Sequence, residues 1–205
     1  MRLITYNLNN EPVGEIVVSD AVFGAEVRPH MHHEAVRHYL ASQRSGTHAT
    51  LNRKRVSGST RKLYKQKGVG RARHGSVKAN NFVGGGIVFG PQPRSYDYKL
   101  SRNFRRSALR SALSEKVASG QLKVVVDFSM ATPKTKDAQA TLGRLGTPSA
   151  LVVTAENASV EKSVRNLQTS SHARPEQLNV YRVLSHKSLV ITVEAIQNLD
   201  GVLQS

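Results

Sequence analysis

The sequence predicts an α/β fold with a mostly parallel sheet and helices on both faces, plus a long extended basic loop inserted after the first helix. One observation is the C-terminal half, where short apolar runs alternate with helical patterns, as in parallel strands covered on both faces. A second is the stretch from 45 to 98, which has no long periodic segment and is dominated by small polar and basic residues. We therefore expect a globular body at 1–44 and 99–205 and an extended loop at 45–98.

Two strands and a helix are predicted before the loop. Residues 2–8 and 13–19 have strand-like composition, and the turn residues NNEP between them indicate a hairpin. A helix is predicted over 28–44, with Pro29 in its first turn. Its buried face should consist of apolar residues that recur every three or four positions: Met31, Ala35, Val36, Tyr39 and Leu40. Within the loop itself, RKLYKQ could form a helical turn and NNFVGGGIVFG a short strand or two.

A long helix should begin directly after the loop. Ser101 is its candidate N-cap, and Gly120 should end it. The apolar stripe of its second half consists of Leu109, Ala112, Leu113 and Val117. The basic row of its first half consists of Arg102, Arg106 and Arg110. Cations early in a helix oppose its dipole, and nearby phosphates would remove that penalty.

Strands and helices alternate in the remaining sequence. The predicted elements are a strand at 122–128, a helix at 133–145, a strand at 150–155, a helix at 157–168 capped by Asn157, a strand at 178–183, and a short strand that leads into a helix within SLVITVEAIQNL. The crossovers between parallel strands should be right-handed.

The net charge of +16 is concentrated in the middle third of the chain. Residues 1–34 have a net charge of −3, residues 35–110 of +17 and residues 111–205 of +2. No acidic residue lies between Glu34 and Asp97. A solvated basic loop normally includes some compensating acids, so this pattern favours a polyanionic partner.

Several classes of protein do not fit the composition. The chain has no Cys, which excludes disulfides and thiolate metal sites and fits an intracellular location. No apolar run approaches the roughly 18 residues of a membrane-spanning helix, and the N-terminal residues lack a signal-peptide pattern. We therefore expect no membrane partner.

Motifs for catalysis or metal binding are incomplete. GGGIVFGPQP has Pro91 where a Walker A loop needs Lys, and GVGRAR lacks the third Gly of a dinucleotide-binding loop. The cluster HMHHEAVRH has Arg37 where a zinc motif needs His. Such a cluster is more typical of surface His residues on an amphipathic helix. Asp127 ends an apolar strand, where a turn-capping role is common, and no base or nucleophile can be assigned to it. We expect no enzyme, no cofactor and no metal.

The basic loop has the composition of an RNA-binding arm. Nine Lys or Arg between 53 and 73 could contact many phosphates, and Gly68, Gly70 and Gly75 would allow close backbone approach to a ligand. No helix-turn-helix, zinc-finger or RNA-recognition pattern is present, so a folded RNA with crevices is the favoured partner. Alone in solution such a loop should be disordered, with the partner ordering it. Two roles remain open for its aromatic residues, stacking on unpaired bases or anchoring the loop in protein: Tyr64, Phe82, Phe89, Tyr96 and Tyr98.

A family resemblance extends this interpretation. Residues 64–100, YKQKGVGRARHGSVKANNFVGGGIVFGPQPRSYDYKL, closely resemble the signature of the bacterial large-subunit ribosomal protein L-four family. The ordered matches are Lys-Gln-Lys-Gly, Gly-Arg-Ala-Arg-His-Gly-Ser, Val-Gly-Gly-Gly and Phe-Gly-Pro-x-Pro-Arg-Ser-Tyr. Val69 departs from the pattern, because many members have Thr there. The rest of the chain is similar in layout, since this family inserts its loop after the first helix of an α/β body.

The resemblance implies a structural constituent of the large ribosomal subunit that binds large-subunit rRNA (23S), supports assembly, and lines the nascent-peptide exit tunnel with its loop. The implied partners are this rRNA, other large-subunit ribosomal proteins and the passing nascent peptide, and the implied location is the cytoplasmic ribosome. The residues implied at the tunnel tip are Lys65, Gln66, Lys67, Gly68, Gly70, Arg71 and Arg73. The residues expected to bind rRNA are Arg44, Arg53, Lys54, Arg55, Arg61, Lys62, Lys65, Lys67, Arg71, Arg73, His74, Lys78, Arg94, Arg102 and Arg106.

Two other functions would use parts of the same chemistry. A free RNA-binding regulator of transcription, or of translation of its own messenger, would need the same basic loop. An RNA-acting enzyme would need a catalytic group in the body, for which Asp127 is the candidate.

Overall fold

The computed structural model describes residues 1–130, 132–155 and 157–204. The elements in this part of the chain are, in order, β1 (Arg2–Tyr6), β2 (Pro12–Val17), α1 (Asp20–Phe23), α2 (Pro29–Ser42), α3 (Arg102–Ala118), β3 (Leu122–Val125), α4 (Thr135–Arg144), β4 (Ala150–Val153), α5 (Ala158–Arg165), β5 (Ser171–Ala173), a 3₁₀ turn (Pro175–Gln177), α6 (Val180–Ser185), β6 (Ser188–Thr192) and α7 (Val193–Gln204). The chain divides into two compact units: a body of Met1–Leu40 and Lys99–Ser205, and a loop unit of Ala41–Tyr98.

The body is built on one six-stranded sheet with the order β2-β1-β3-β6-β4-β5. β1 and β2 form the predicted antiparallel hairpin, with Leu3 opposite Ile16. The other neighbouring strands pair in parallel, as where Val124 of β3 lies opposite Ile191 of β6. The predicted α/β class with a mostly parallel sheet is confirmed.

Helices cover both faces of the sheet. Side chains of a strand alternate between faces, and β6 illustrates the result: Leu189 and Ile191 join one buried cluster, and Val190 joins the other. The first cluster includes residues of α1, α2, α3, α6 and α7, and the second includes residues of α4 and α5. The residues of both clusters all belong to the body, so the loop unit contributes nothing to either.

The predicted helix caps are confirmed. The Ser101 hydroxyl accepts a hydrogen bond from the Phe104 amide at 3.2 Å, and the Asn157 side chain accepts one from the Val160 amide at 3.3 Å. α3 ends just before Gly120, which has a φ of +66°. These short polar residues therefore fix the starts of two helices that pack on opposite faces of the sheet.

One predicted strand is wrong. The strand predicted over residues 178–183 is absent, and the structure has α6 at Val180–Ser185. The Asn179 side chain caps this helix by accepting a hydrogen bond from the Arg182 amide at 2.8 Å, and Val180 and Val183 are buried at helical spacing. The strand of this region is instead β5, which pairs with β4 at the sheet edge and is too short and polar to give a strand pattern.

Helix α2 is oriented differently from the prediction. Leu40, predicted to be buried, is 46% exposed, while the Tyr39 ring stacks on Tyr181 with 5.0 Å between centroids. His32, predicted at the surface, is only 7% exposed, and its Nε2 lies 2.8 Å from the Ser111 hydroxyl. The polar partner on α3 explains how this face can bury a His. The four-residue helix α1 is not predicted by the sequence pattern.

The buried His32 should make the stability of the body depend on pH. Burial lowers the pKa of His32 most, a like-charge effect of His30 adds to this, and Glu115 opposes it. The folded state therefore binds the His32 proton less readily than the unfolded state, whose pKa is about 6.5. The free energy of unfolding should be fully retained about one pH unit above this unfolded-state pKa and should fall as the pH drops through it.

We predict that His32→Gln makes the loss of stability between about pH 7.5 and pH 5 shallower. Urea unfolding at a series of pH values measures this. Some dependence should remain, because burial also lowers the pKa of His172. His33→Gln, at an exposed position of the same helix, is the control. Parallel stability curves for the wild type and His32→Gln would contradict the prediction.

Candidate nucleic-acid interface

The loop unit has no helix or strand beyond Ser42, the last residue of α2. Two local predictions are therefore wrong: RKLYKQ forms no helical turn, and NNFVGGGIVFG forms turns rather than strands. Both segments are rich in Gly or in mutually repelling cations, which weakens their intrinsic preference for regular structure.

Backbone hydrogen bonds nevertheless connect the two limbs of the loop unit, whereas the sequence predicts disorder for this segment without a partner. We call residues 44–63 the outgoing limb, 64–74 the tip and 75–96 the returning limb. Four amide-to-carbonyl bonds cross between the limbs: Arg94 to Gly46 (3.2 Å), Thr50 to Pro91 (3.0 Å), Ile87 to Leu51 (2.9 Å) and Leu63 to Gly75 (2.9 Å). These bonds, which the sequence pattern does not predict, run from the base of the loop unit to the neck of its tip.

Two glycines allow the limbs to come this close. Gly46 has a φ of +61°, and a β-carbon there would collide with the carbonyl oxygen of Arg94. A β-carbon on Gly86 would collide with the backbone of Arg53. Gly86 belongs to the triple-glycine motif that invites comparison with a nucleotide loop, and its role in the fold is to let the returning limb cross the outgoing one.

An aromatic ring holds two predicted RNA-binding residues at the base. The guanidinium groups of Arg44 and Arg94 lie 3.7 and 4.5 Å from the centroid of the Tyr96 ring. The Tyr96 hydroxyl lies 3.2 Å from Nε2 of His48. Each exposed cation–π contact contributes about 0.5–1 kcal/mol, so Tyr96 brings the two limbs together and keeps both cations accessible.

A second aromatic cluster lies at the neck of the tip. The half-buried His74 ring contacts Phe82 at 4.8 Å and Tyr64 at 6.3 Å between centroids. The Tyr64 hydroxyl donates a hydrogen bond to the Ala72 carbonyl across the tip. His74 is among the residues expected to bind rRNA, and the structure gives its ring a packing role within the loop unit.

The residues implied at the tunnel tip all lie between these closures. The Leu63–Gly75 bond closes the neck, and the Lys62 ammonium donates to the Gln66 side chain at 2.8 Å and to the His74 carbonyl at 3.3 Å. The implied tip residues are all exposed: Lys65, Gln66, Lys67, Gly68, Gly70, Arg71 and Arg73. Gly68 and Gly70 have positive φ and open space around them.

The other predicted RNA-binding residues fall in both units. The exposed ones of the outgoing limb are Arg53, Lys54, Arg55, Arg61 and Lys62, and Lys78 of the returning limb is half-buried. Arg102, exposed, and Arg106, half-buried, lie on α3 in the body. The structure thus brings the loop residues together along two paired limbs and places the α3 pair in the other unit.

The electrostatics of the loop unit are uncompensated. Residues 41–98 contain twelve Lys or Arg and one acidic residue, Asp97. The limbs between Arg44 and Tyr96 have no carboxylate side chain at all, so no ion pair can form within them. Their charge has to be matched by solvent counterions or by a polyanion.

The described residues contain neither a cluster of metal ligands nor a helix that could span a membrane. No group of three or more His, Asp and Glu among them could hold a metal ion. None of the helices in the described ranges combines the length and apolar character needed to cross a bilayer. Asp127 is exposed.

Comparison with known proteins identifies the family. The model of the ribosomal protein L4/L1 family matches residues 16–202, most of the chain. The chain belongs to this family. It is 46% identical over 198 residues to the large ribosomal subunit protein uL4 of Pelotomaculum thermopropionicum, covering 96% of each chain. It is 45% identical to the protein of that name from an Anaeromyxobacter species and 44% identical to that from a Thermoanaerobacter species, covering 97% and 98% of each chain.

Membership confirms the resemblance carried by residues 64–100. The ribosomal protein L4/L1 family is one of structural ribosomal proteins and not of enzymes, so Asp127 and the His residues of α2 need no catalytic role. The predicted location, the cytoplasmic ribosome, is that of this family.

The limb crossing generates a prediction with a matched control. Gly46→Ala and Gly70→Ala each place a β-carbon on a backbone of similar positive φ, +61° and +65°. Each carries a conformational penalty of roughly 1–2 kcal/mol, but only the β-carbon at position 46 meets another atom within 4 Å. We expect Gly46→Ala to speed amide exchange at Thr50 and Arg94 by roughly tenfold, which corresponds to about 1.4 kcal/mol.

Gly70→Ala should leave those two amides unchanged, and both variants should retain the unfolding transition of the body. Equal exchange at Thr50 and Arg94 in the two variants would show that the crossing at Gly46 does not hold the base together.

Proposed function

We propose that the protein binds large-subunit rRNA (23S) through residues 45–98, supports assembly of the large subunit, and lines the nascent-peptide exit tunnel with its tip. The observation that carries this proposal is the loop unit, with twelve Lys or Arg and one acidic residue. For a member of a ribosomal protein family, the polyanion that such a charge requires is rRNA.

The paired limbs suit binding to folded RNA. Each phosphate that a Lys or Arg neutralises releases counterions, so affinity gains from every cation that reaches the backbone. The limbs are joined by backbone hydrogen bonds and by the Tyr96 ring, and their basic side chains are exposed except for the half-buried Lys78. An arm that is narrow and cationic along its length can enter a crevice between RNA helices, where phosphates surround it.

The tip suits a position at the tunnel wall. Its neck is closed at Leu63 and Gly75, and four cations, Lys65, Lys67, Arg71 and Arg73, lie within nine residues. The exposed Val69 lies among them. In the proposal the cations contact the surrounding rRNA and neighbouring large-subunit proteins, and the exposed tip faces the nascent peptide.

Removing charge from the tip tests the RNA-binding proposal. A variant with Lys65, Lys67, Arg71 and Arg73 all changed to Gln should bind an rRNA transcript more weakly, with a smaller dependence of log Kd on log salt. The slope should fall by roughly 0.7–0.9 for each phosphate that the variant no longer neutralises. Binding measured across a salt series gives both quantities.

The matched control removes four cations from the body surface: Lys134, Lys136, Lys162 and Arg165, all exposed. It should change the slope little. An equal reduction in both variants would mean that the protein binds RNA through its overall charge rather than through the loop unit. Sedimentation of the wild-type protein outside large subunits in high salt would instead favour a free RNA-binding regulator.

Site-specific cross-linking tests the position of the tip. A photoreactive side chain at Val69 should cross-link to an arrested nascent peptide in ribosomes that contain the protein, because Val69 is exposed within the tip. The same group at Val13, exposed on the edge strand β2, is the control and should give no such product. Products at both positions, or at neither, would contradict the tunnel proposal.

A further inference from the structure

Phe89 is the most exposed aromatic side chain of the loop unit. It exposes 98% of its accessible surface, and the adjacent Val88 exposes 61%. The rings of Tyr64, Phe82 and Tyr96, by contrast, contact His74 or the arginines at the base. A large apolar ring kept in water is unfavourable, and apolar groups exposed together mark a surface that a partner covers.

The backbone that carries Phe89 is fixed on both sides. Two residues before it, the Ile87 amide donates to the Leu51 carbonyl at 2.9 Å, and two residues after it, the Pro91 carbonyl accepts from the Thr50 amide at 3.0 Å. The next residue, Gly90, lies so close to the Thr50 side chain that a β-carbon would not fit. The ring is therefore presented from a pinned segment, and holding it in place for a ligand requires little further ordering.

A cation is held beside this segment. The Gln92 side chain donates to the Thr50 carbonyl at 3.1 Å and accepts from the Arg55 guanidinium at 3.2 Å, so the Arg55 side chain is held at a residue three positions after Phe89. Only the backbone of Arg53 passes beside Gly86, and its guanidinium lies near Gly75 instead. The chain from Ala35 to Tyr96 contains no acid that could neutralise Arg55.

An unpaired nucleotide matches both features. It has an apolar π face that stacks on an aromatic ring and a phosphate that pairs with a guanidinium, whereas an apolar protein surface would offer the Arg55 guanidinium no anion. Stacking on a base also accounts for an aromatic side chain at this position that no other residue of the loop unit covers.

We propose that Phe89 stacks on an unpaired base of the bound rRNA while Arg55 contacts the adjoining phosphate. This inference rests on the proposed function, because it assumes that the loop unit binds RNA. It adds to that function one side chain that recognises a nucleobase rather than the phosphate backbone.

The test compares the affinities of Phe89 variants for an rRNA transcript. Phe89→Ala should weaken binding about 5- to 150-fold, the range for removal of one stacked base, with no change in the salt slope. Phe89→Tyr should bind like the wild type, and Phe89→Leu, which keeps apolar contact without a ring, should be weakened nearly as much as Phe89→Ala. Arg55→Gln should weaken binding with a smaller salt slope.

The chain contains no Trp, so Phe89→Trp introduces a single fluorophore at the proposed stacking position. Its fluorescence should be quenched on addition of the rRNA transcript, while a Trp at the exposed Val83 should be quenched much less. Unchanged amide exchange at Ile87 in Phe89→Ala would confirm that the backbone of the segment is preserved.

The binding experiments distinguish a failure of the proposed function from a failure of the stacking inference. If wild-type protein does not bind the transcript, the proposed function is wrong. If wild-type protein binds and Phe89→Ala binds equally well, or Phe89→Leu retains full affinity, the stacking inference is wrong and the proposed function stands. Retained affinity in Phe89→Leu would indicate an apolar contact with the RNA that needs no ring.

Discussion

The absence of carboxylates from Ala35 to Tyr96 is the constraint on which the loop unit depends. Ion pairs cannot join its limbs, and its cations repel one another. The limbs are held instead by interactions that need no negative charge: backbone hydrogen bonds between them, glycines that allow close crossing, and the Tyr96 ring under two guanidinium groups. Each of these leaves the positive charge in place for an outside partner.

The body, in contrast, contains a buried cation whose hydrogen-bond partners all lie within the protein. Lys116 of α3 is buried, and burial lowers its pKa, but its ammonium donates to the Gln121 side chain at 2.9 Å and to the carbonyls of His186 and Lys187 at 2.8 and 3.1 Å. All three donors are satisfied within the protein, and together they hold the connection between α6 and β6. The body thus satisfies a buried cation within its own fold, whereas most cations of the loop unit remain exposed. The apolar clusters on both faces of the sheet contain no loop residue.

Much of the body follows from local sequence, and the failures have physical causes. Ser101, Asn157 and Gly120 mark helix ends because a short polar side chain or a positive φ is needed at those points. The strand predicted over 178–183 is wrong because the spacing of its buried valines fits a helix while the composition fits a strand, and only the preceding Asn cap decides between them. The burial of His32 could not be predicted, because its partner Ser111 is 79 residues away. In the loop unit, charge identifies the segment that we propose to bind RNA, but the pairing of limbs depends mainly on contacts between residues about 40 positions apart.

The signature VGGGIVFG illustrates how one motif can serve both folding and binding. Gly86 lets the returning limb cross at Arg53, and Gly90 lets it pass the Thr50 side chain, so these positions are small because the other limb occupies the space of a side chain. Ile87, between them, is tied to Leu51 by its backbone, while its neighbours Val88 and Phe89 are exposed. The same segment that closes the loop unit without ion pairs therefore carries an exposed aromatic ring. A motif that resembles a nucleotide-binding loop is in this fold a close crossing of two limbs, and in our proposal Phe89 is the residue that it presents for binding.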